Sequence, residues 1–346
     1  MPISGHFDPK NHIENLIVSP YYKNLVLLRN TISIACDSFF QERKAPKVDL
    51  SLISKGVSSP MGKGSDSLPI PIQLGKDQVF LTDSAQFGME PLVQNAFRMV
   101  YCYLPSFRGE NPDMWHLNQF YHCEAELRGT LDETLIIVED LIHHLLLEVL
   151  DQNNESIQEI PNEHLQKIKY VSENSFPVIS FDDACKLLQS NGFESEIEQR
   201  DFGRTLSRDG EVKVVELVSN NKLPIWIREF DRDTVPFYQK PITRDSNKVF
   251  NADLIFPKID GAFGGEIVGC GQRQDNVDEI SESMQRQGVH NHGQYDWYLE
   301  LRKRSDYEIT SGFGLGIERL LAWILRESSI IDTAIYPVLK DIATPY

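Results

Sequence analysis

The sequence predicts an α+β fold, an antiparallel β-sheet flanked by helices, and two kinds of stretch support that prediction. Arg98 to Leu127 and Ser311 to Arg319 read as strands that meet polar loops or a helix. Tyr21 to Gln41 and Asp132 to Leu150 repeat apolar residues at helical spacing. The length of 346 residues suits one large domain or two small ones and can bury a substantial core.

The stretch from Ser311 to Arg319 predicts a glycine-bearing strand that runs into a buried helix. Glycines at alternate positions (Gly312, Gly314 and Gly316) suit a strand that another group approaches closely. The following residues, 317 to 325, are apolar at helical spacing. Arg319 lies at the junction and has two interpretations. It contacts a phosphate or a purine ring, or it forms a structural salt bridge at the start of the helix.

The stretch from Arg98 to Leu127 predicts a long β-hairpin. Its first ten residues are rich in β-formers, and Arg108 to Asp113 is a turn-rich connection. A second strand opens at His116. Polar and aromatic side chains lie on or near the loop of this hairpin, namely Arg108, Glu110, His116, Phe120, Glu124 and Glu126.

Together these stretches resemble motifs 2 and 3 of the class II aminoacyl-tRNA synthetases, and most closely the asparaginyl/aspartyl branch. That branch writes motif 2 as Phe-Arg-x-Glu, five residues, His-Leu, two residues and Phe. This chain has Phe107-Arg108-Gly109-Glu110, five residues and then His116-Leu117-Asn118-Gln119-Phe120. Either motif alone is a weak signal, whereas both in this order and spacing are a strong one. The resemblance covers roughly residues 21 to 337 and implies a class II synthetase-type catalytic domain.

The resemblance also implies an ATP site with Arg108 and Arg319 as its catalytic arginines. Arg108 would contact the α-phosphate, Phe120 would stack on the adenine opposite Arg319, and His116 would lie near the terminal phosphates. The other residues implied to bind ATP are Glu110, Leu117, Glu266 and Gly316.

A magnesium site is implied by two carboxylates, Asp253 and Glu266. A hard divalent ion prefers carboxylate oxygens and takes its remaining ligands from phosphates and water. Two carboxylates thirteen residues apart are weak evidence alone. Here the second one lies inside Gly265-Glu266-Ile267-Val268-Gly269 and four residues later comes Arg273, as in the family.

The amino-acid pocket is implied by Thr82 to Glu90, in which Ser84 and Gln86 match the family and Met89 replaces a lysine. That lysine would pair with an aspartate side chain, so either the substrate differs or Arg273 takes the role alone. A planar guanidinium suits a side-chain carbonyl or carboxylate. The residues assigned to this pocket are Ser84, Gln86, Met89, Glu126, Arg273 and Gly314.

Residues 56 to 71 form a loop rich in glycine, serine and proline. It is not a P-loop, because the glycines before Lys63 have the wrong spacing and Gly64 stands where Ser or Thr would bind magnesium. The family places a glutamate in this region for the substrate's amino group, and none occurs here between Glu42 and Glu90. Either the loop serves a different recognition or it is a plain surface loop.

The overall composition favours a cytoplasmic protein without a membrane segment. Asp and Glu number 51 against 34 Lys and Arg, giving a net charge of −17, which repels nucleic acid unless a basic patch offsets it. The five cysteines are widely spaced, which favours reduced thiols and argues against a zinc site. No apolar run is long enough to span a membrane, and no signal peptide is found.

Three further regions shape the predicted domain organisation. Residues 1–20 read as an extended or loosely docked arm before a catalytic domain over 21–346. In the resembled family a helix at the place of Tyr21 is part of motif 1, which builds a dimer interface, so the resemblance implies a homodimer although the motif's proline is replaced near Ser51. Residues 153–222 read as a variable or inserted region, and 194–221 within it as charged and irregular, an insertion or a hairpin.

These observations predict an AMP-forming ligase that activates aspartate or a related carboxylate with ATP and Mg²⁺. The family's tRNA ligases carry an N-terminal anticodon-binding barrel, whereas this chain starts almost at the catalytic core. It therefore resembles the free-standing asparagine-synthetase relatives, which predicts ammonia or a small amine as the acceptor and speaks against tRNA. Two alternatives stay open: aminoacylation of tRNA, and a non-catalytic regulatory paralogue that binds an amino acid.

Overall fold

The structure is a computed structural model that describes residues 5–151, 155–259, 261–290 and 293–342. The helices within these ranges are α1 His12–Val18, α2 Pro20–Glu42, α3 Gln86–Val93, α4 Leu131–Val149, α5 Asn162–Ser172, α6 Phe181–Ser190, α7 Arg208–Ser219, α8 Val277–Gln287, α9 Asp296–Arg302 and α10 Ile317–Leu325. The strands are β1 Ile53–Ser54, β2 Ile70–Leu74, β3 Asp77–Leu81, β4 Met99–Phe107, β5 Gln119–Arg128, β6 Val178–Ser180, β7 Ile197–Arg200, β8 Gly203–Leu206, β9 Ile225–Arg228, β10 Pro241–Ile242, β11 Asp245–Val249, β12 Asn251–Phe256, β13 Gly265–Gln272 and β14 Thr310–Gly316. Short 3₁₀ turns occur at Glu155–Ile157, Glu194–Glu196, Arg232–Thr234 and Ile330–Thr333.

A central sheet organises the molecule. Within the described ranges it has seven strands in the order β4-β5-β14-β13-β12-β9-β6. The pairs are antiparallel except β6 with β9, which is parallel at the edge. This arrangement confirms the predicted α+β class with an antiparallel sheet flanked by helices.

One face of the sheet is covered by α2, α4 and α10, which bury the main hydrophobic core. Each contributes fully buried side chains at helical spacing, such as Leu25 and Leu28, Leu141 and Leu145, and Leu320 and Trp323. The strands supply the alternate residues that face this core. Burial of this face fixes the register of the strands, because a slip by one residue would turn their apolar side chains outward.

The long hairpin and both long helices agree with the sequence predictions. The strand-to-helix junction is also confirmed, since β14 ends at Gly316 and α10 begins at Ile317. The second strand of the hairpin begins at Gln119 rather than at His116, which lies in the connecting loop. Residues 236–238 form a turn, followed by an isolated bridge at Gln239.

The N-terminal arm is fixed to the body of the protein, so the expectation of an extended or loosely docked segment is wrong. The amides of Gly5, His6 and Phe7 donate to the buried carboxylate of Asp332 at 2.8–2.9 Å. The arm then continues into α1. A buried carboxylate that collects three backbone donors is a stable anchor, because those bonds satisfy an otherwise costly buried charge.

The region 194–221 contains the hairpin β7–β8 and also a helix that the sequence prediction missed. Ser207 caps α7 by accepting from the amide of Gly210, and Asp209 and Glu211 place acidic groups in the first turn. This capping pattern is legible in the sequence. The helix packs on β12 and β13 and so brings its first turn to the side of the sheet that carries the site.

Candidate active site

The open face of the sheet presents a row of polar side chains across from a row of glycines. Along β5 the alternate residues Phe120, His122, Glu124 and Glu126 share one face, while Cys123 and Ala125 enter the core. In the neighbouring β14 the glycines pair with members of this row, Gly312 with Glu126, Gly314 with Glu124 and Gly316 with His122. The glycines leave the space above the sheet empty of side chains.

Two adjoining cavities occupy this space. The larger cavity, of about 290 Å³, lies over the middle of the sheet and includes Glu126 and Arg273 in its wall. The smaller cavity, of about 130 Å³, lies between the hairpin loop and the start of α10 and includes Phe120 and Arg319. Residues shared by both walls are Met61, Arg108, His122, Glu266 and Gly314.

The smaller cavity brings Arg108 and Arg319 together, as the sequence predicts. The guanidinium of Arg319 donates from Nη1 to the carbonyl oxygen of Glu266 at 2.9 Å and to its Oε2 at 3.0 Å. Arg108 lies over the ring of Phe120, 5.1 Å from its centroid. Its buried Nε has no hydrogen-bond partner within the described residues. A buried donor of this kind fits an acceptor atom of a ligand, because a buried donor without a hydrogen bond costs free energy.

The hairpin loop supplies the rest of this wall. Glu110 is buried and accepts from the amide of Leu68 at 3.2 Å, and His116 Nδ1 lies 3.0 Å from Asp113 Oδ1. The other predicted members, Leu117 and Gly316, also line the smaller cavity. All the residues predicted to bind ATP therefore surround one cavity.

Asp253 and Glu266 lie side by side on neighbouring strands. A Cβ at Gly269 would lie 3.1 Å from Glu266 Oε1 and 3.5 Å from Asp253 Oδ1, so both carboxylates hang over this glycine. Burial, and then the nearby Glu266 and Glu211, raise the pKa of Asp253 well above its ordinary value. Burial also opposes ionisation of Glu266, but Arg319, Arg108 and His122 together outweigh it and lower the pKa of that carboxyl.

The donor set of this carboxylate pair fits magnesium. Its oxygens are hard ligands, and their mutual repulsion is what a divalent cation relieves. No group of three His, Cys, Asp or Glu side chains with metal-binding geometry occurs among the described residues. The two carboxylates therefore leave other coordination positions to phosphate oxygens and water.

The first turn of α7 adds two charged residues that the sequence analysis left without a role. Arg208 lies between two aromatic rings, 4.3 Å from the centroid of Trp115 and 4.6 Å from that of Phe263, and it donates to the carbonyl oxygen of Gly264 at 2.6 Å. Among the described residues, the carboxylates of Glu211, Asp113 and Asp209 attract its guanidinium through space. Burial and the neighbouring Arg319 lower the pKa of Arg208 to about 10.

Glu211 follows one helical turn later, on the same side of α7. Burial and the nearby Glu266 raise the pKa of its carboxyl to about 7. The helix thus adds one cation and one anion beside Arg319 and Glu266. Their sequence signal is the capped, acidic first turn after Ser207, which reveals a helix but not its location.

In the larger cavity Arg273 and Glu126 form a buried ion pair. Arg273 donates from Nε to Glu126 Oε1 at 3.0 Å and from Nη2 to Oε2 at 2.7 Å, and both side chains are almost fully buried. The pair lies over Gly312, where a Cβ would collide with the carboxylate of Glu126. A glycine is therefore required at this point of β14.

Glu124 is a member of this cavity that the sequence analysis did not assign to the substrate. Its Oε2 accepts from Ser84 Oγ at 2.7 Å and from the amide of Ala85 at 3.1 Å, and its Oε1 lies 3.0 Å from His122 Nδ1. Burial opposes its ionisation, but the bonds from His122 and Ser84 outweigh it and lower the pKa of Glu124. The period-two alternation with Glu126 is the sequence signal that could have identified it.

Helix α3 places the remaining predicted pocket residues. Gln86 and Met89 are buried and line the larger cavity, and Gly314 lies in its floor. The Nε2 of Gln86 has no hydrogen-bond partner within the described residues, and neither has Oε1 of Gln239, a residue not predicted. Unsatisfied polar atoms thus collect at this cavity, as expected of a site that takes a polar ligand.

The loop over residues 56–71 contributes Met61 to the walls of both cavities. Asp83 is buried and accepts from the amide and hydroxyl of Ser58 and from those of Ser59 at 2.5–3.0 Å. Beyond this anchor Met61 enters both cavity walls, and its sulfur accepts from Arg108 Nη2 at 3.4 Å. The interpretation of a plain surface loop is therefore wrong.

The sequence predicts reduced cysteine thiols and no membrane-spanning segment. All five cysteines are buried free thiols. None of the described helices is long and apolar enough to cross a membrane.

Comparison of the sequence with known proteins identifies a family and several relatives. Residues 6–340 match the family described as tRNA synthetases class II (D, K and N). An asparagine–tRNA ligase of Desulforamulus reducens is 26% identical over 92% of this chain and 70% of its own length. Another from Pyrococcus abyssi is 31% identical over 75% of this chain and 56% of its own length. This chain thus matches between about half and seven-tenths of these relatives.

Solved structures show the same fold. The asparaginyl-tRNA synthetase of Pyrococcus horikoshii complexed with asparaginyl-adenylate has a TM-score of 0.85 and 25% identity, covering 97% of this chain and 73% of that one. The asparaginyl-tRNA synthetase of Entamoeba histolytica, also with asparaginyl-adenylate, has a TM-score of 0.80 at 22% identity, covering 99% and 74%.

Proposed function

This chain belongs to the class II tRNA synthetases of the D, K and N family, and we propose that it activates an amino acid with a side-chain amide, asparagine, by forming its adenylate from ATP. One observation carries the proposal. The smaller cavity is lined by Arg108, whose Nε has no partner among the described residues, and by Arg319 beside Glu266. It shares part of its wall with a larger cavity that contains Asp253 and the paired Arg273 and Glu126. The first fits a metal-bound triphosphate, and the second a small polar side chain.

In the smaller cavity the residues of the hairpin and of α10 would hold ATP. The adenine stacks between Phe120 and Arg319, and Arg108 binds the α-phosphate. Asp253 and Glu266 would hold magnesium, which neutralises phosphate charge when bound. Catalysis then consists of positioning the reactants and stabilising charge with fixed donors.

The reaction itself is a displacement at the α-phosphorus. An oxygen of the amino acid's α-carboxylate attacks, an O–P bond forms, and the bond from the α-phosphorus to the bridging oxygen of pyrophosphate breaks. Arg108 faces the oxygens on which negative charge develops, because it lies in the walls of both cavities. The products are the aminoacyl-adenylate and pyrophosphate.

In the larger cavity Glu124 would receive the substrate's ammonium group, with Ser84 and Gln86 beside it. This carboxylate takes the role for which the sequence offers no glutamate in residues 56–71. The side-chain amide then reaches the Arg273–Glu126 pair, where the guanidinium donates to the amide oxygen and Glu126 accepts from the amide nitrogen. Met89 adds no charge, so a side-chain carboxylate gains no second cation there.

For the acceptor we propose tRNA, in place of the ammonia or small amine predicted from the sequence. That prediction has no support in the comparisons, whereas the matched relatives are tRNA ligases. The alternative reading of the sequence, aminoacylation of tRNA, is therefore the one we favour.

We also propose that residues 21–346 form one catalytic domain and that two copies associate through α2. Val26 and Ile34 on this helix are apolar and about half exposed, which supports an interface there. Sedimentation of the purified protein would test it: a monomer at micromolar concentration would contradict the dimer.

The proposed activity is tested by ATP–pyrophosphate exchange with asparagine, aspartate and other amino acids in the presence of Mg²⁺. Exchange that depends on asparagine supports the proposal. Release of AMP would then be followed with tRNA and, separately, with ammonia as the acceptor. If no amino acid supports exchange, with or without tRNA, the proposal of adenylate formation is overturned. Release of AMP with ammonia but not with tRNA would overturn the choice of acceptor.

A further inference from the structure

Gln239 lies beside the predicted substrate-recognition pair although its stretch of sequence carries no motif. Its backbone forms an antiparallel bridge with Arg273. Hydrogen bonds on both sides hold that bridge, from Lys240 N to Gln272 O and from Gln274 N to Tyr238 O, each at 2.9 Å. Residues directly opposite in an antiparallel pair share a face, so Gln239 and Arg273 point to the same side of the sheet.

Two glycines make room for the ends of these side chains. A Cβ at Gly271 would collide with the side-chain amide of Gln239, and one at Gly312 would collide with Glu126 and Arg273. Gly271 and Gly312 are directly paired across β13 and β14. Paired residues lie about 5 Å apart, so the amide of Gln239 lies next to the Arg273–Glu126 pair.

The amide of Gln239 is buried and incompletely bonded. The residue is 8% exposed and lines the larger cavity. Its Oε1 accepts no hydrogen bond from the described residues. A neighbouring glutamine provides a contrast: Gln272 lies next in the sequence to Gly271, and its Oε1 accepts from the amide of Leu131 at 3.1 Å. Gln272 is bonded within the protein, whereas Gln239 is directed at the cavity.

Charge decides which ligand group fits between these residues. Glu126 already neutralises Arg273, and Glu124 adds a second negative charge to the same cavity. A side-chain carboxylate would meet this negative surplus, whereas an amide nitrogen would donate to it. An unbonded Oε1 on Gln239 is a further acceptor that an amide nitrogen satisfies and a carboxylate does not.

We propose that Gln239 is a specificity-determining residue that accepts a hydrogen bond from the side-chain amide nitrogen of the amino acid, together with Glu126. This inference rests on the proposed adenylate-forming function and adds a third member to the recognition of the substrate's side chain. Arg273 binds the amide oxygen, and Glu126 and Gln239 each accept a hydrogen bond from one of the two N–H groups of the amide. A site whose buried acceptors require these donors discriminates against an analogue without them.

The test compares Gln239→Met with Gln272→Met, a matched change at a buried glutamine that faces away from the cavity. Exchange of pyrophosphate into ATP is measured with asparagine and with aspartate. For Gln239→Met we expect kcat/KM with asparagine to fall about tenfold, the equivalent of one net hydrogen bond, with an unchanged KM for ATP. For Gln272→Met we expect a lower Tm and an unchanged preference for asparagine.

Binding is measured separately, as the shift in Tm produced by asparagine without ATP. We expect this shift to shrink in Gln239→Met while the Tm of the free protein is retained or raised, because an unsatisfied buried acceptor has been removed. Values for asparagine within twofold of the wild type would overturn the inference. So would a wild-type protein that activates only amino acids without an amide, although adenylate formation itself would then stand. Absence of exchange with every amino acid would instead overturn the proposed function.

Discussion

The charged side chains that would face the amino acid in the larger cavity are held by partners within the protein, whereas some of those that would face the nucleotide are not. Arg273 is held by Glu126, and Glu124 by Ser84, Ala85 and His122. Where the two cavities adjoin, Nε of Arg108 lacks a partner within the described residues, and Asp253, in the wall of the larger cavity, is crowded by other carboxylates. Paired charges shape a site for a small, neutral group, and unpaired charges fit a ligand that brings its own charges.

Arg319→Ala is the strongest test of the smaller cavity. We expect ATP–pyrophosphate exchange to fall on the order of 10³-fold, since a fixed cation that faces developing charge contributes on that scale. The affinity for asparagine measured without ATP should be nearly unchanged. Arg319→Lys is the control, because it keeps the charge and loses the planar fork. A loss of thermal stability with normal exchange would instead favour the structural salt bridge with Glu266.

The larger cavity is tested by comparing two variants that each remove the acidic member of a buried ion pair, Glu126→Gln in the cavity wall and Glu90→Gln outside it. Glu90 and Arg302 form a pair with no exposed side-chain surface, and neither residue lines a cavity. We expect Glu90→Gln to lower the free energy of unfolding by about 3 kcal/mol, because a buried charge is left unpaired. Glu126→Gln should cost less, since cavity water can reach Arg273.

Substrate selection separates the two variants. Glu126→Gln should reduce the preference for asparagine over aspartate, measured by pyrophosphate exchange, and Glu90→Gln should leave that preference intact. Denaturant unfolding gives the stabilities. An equal change of preference in both variants would contradict the assignment of Glu126 to the substrate.

Arg208→Met tests whether the charges of α7 belong to the smaller cavity. Arg208 is repelled by Arg319, and Glu211, Asp113 and Asp209 oppose that repulsion only in part, so a bound polyphosphate should relieve it. We expect about tenfold weaker binding of ATP and unchanged binding of AMP, measured by calorimetry with Mg²⁺. Arg200→Met, at an exposed ion pair with Glu198, should change neither. Equal weakening for AMP would place Arg208 outside the phosphate site.

The smallest expected effect concerns an ion pair outside both cavities, His6 with Glu327. The hydrogen bond to Glu327 raises the pKa of His6, with burial opposing it. The pair therefore contributes its full stability below pH 6.5, and the contribution is lost as the pH rises through the folded-state pKa. We expect the Tm of the wild type to exceed that of His6→Gln by more at pH 6 than at pH 8.5. A gap independent of pH would contradict the charged pair.

The sequence was sufficient to predict the parts of the site that lie on strands and helices, where side-chain direction repeats at a regular spacing. The alternation along β5 and the three glycines of β14 suffice to place Phe120, Glu126 and Gly314 on one face of a sheet. The helices α2 and α4 follow from their apolar spacing. In these elements the side-chain direction is fixed by position along the chain.

Gln239, Arg208 and Glu211 could not be predicted because their positions depend on contacts distant in sequence. Gln239 lies outside any regular strand, and its direction is set by pairing with Arg273. The first turn of α7 could be recognised from the cap at Ser207, but its place beside Glu266 follows from packing on β12 and β13. The docking of the arm on Asp332 likewise joins residues more than 300 positions apart.

Met61 forms part of the wall of both cavities, on a loop anchored by Asp83. A ligand that moves this side chain in one cavity changes the space available in the other. The affinities of the nucleotide and the amino acid are then linked, and thermodynamic reciprocity requires each to alter the other by the same factor. A single thioether on a tethered loop would thus make the two substrates report on each other's presence.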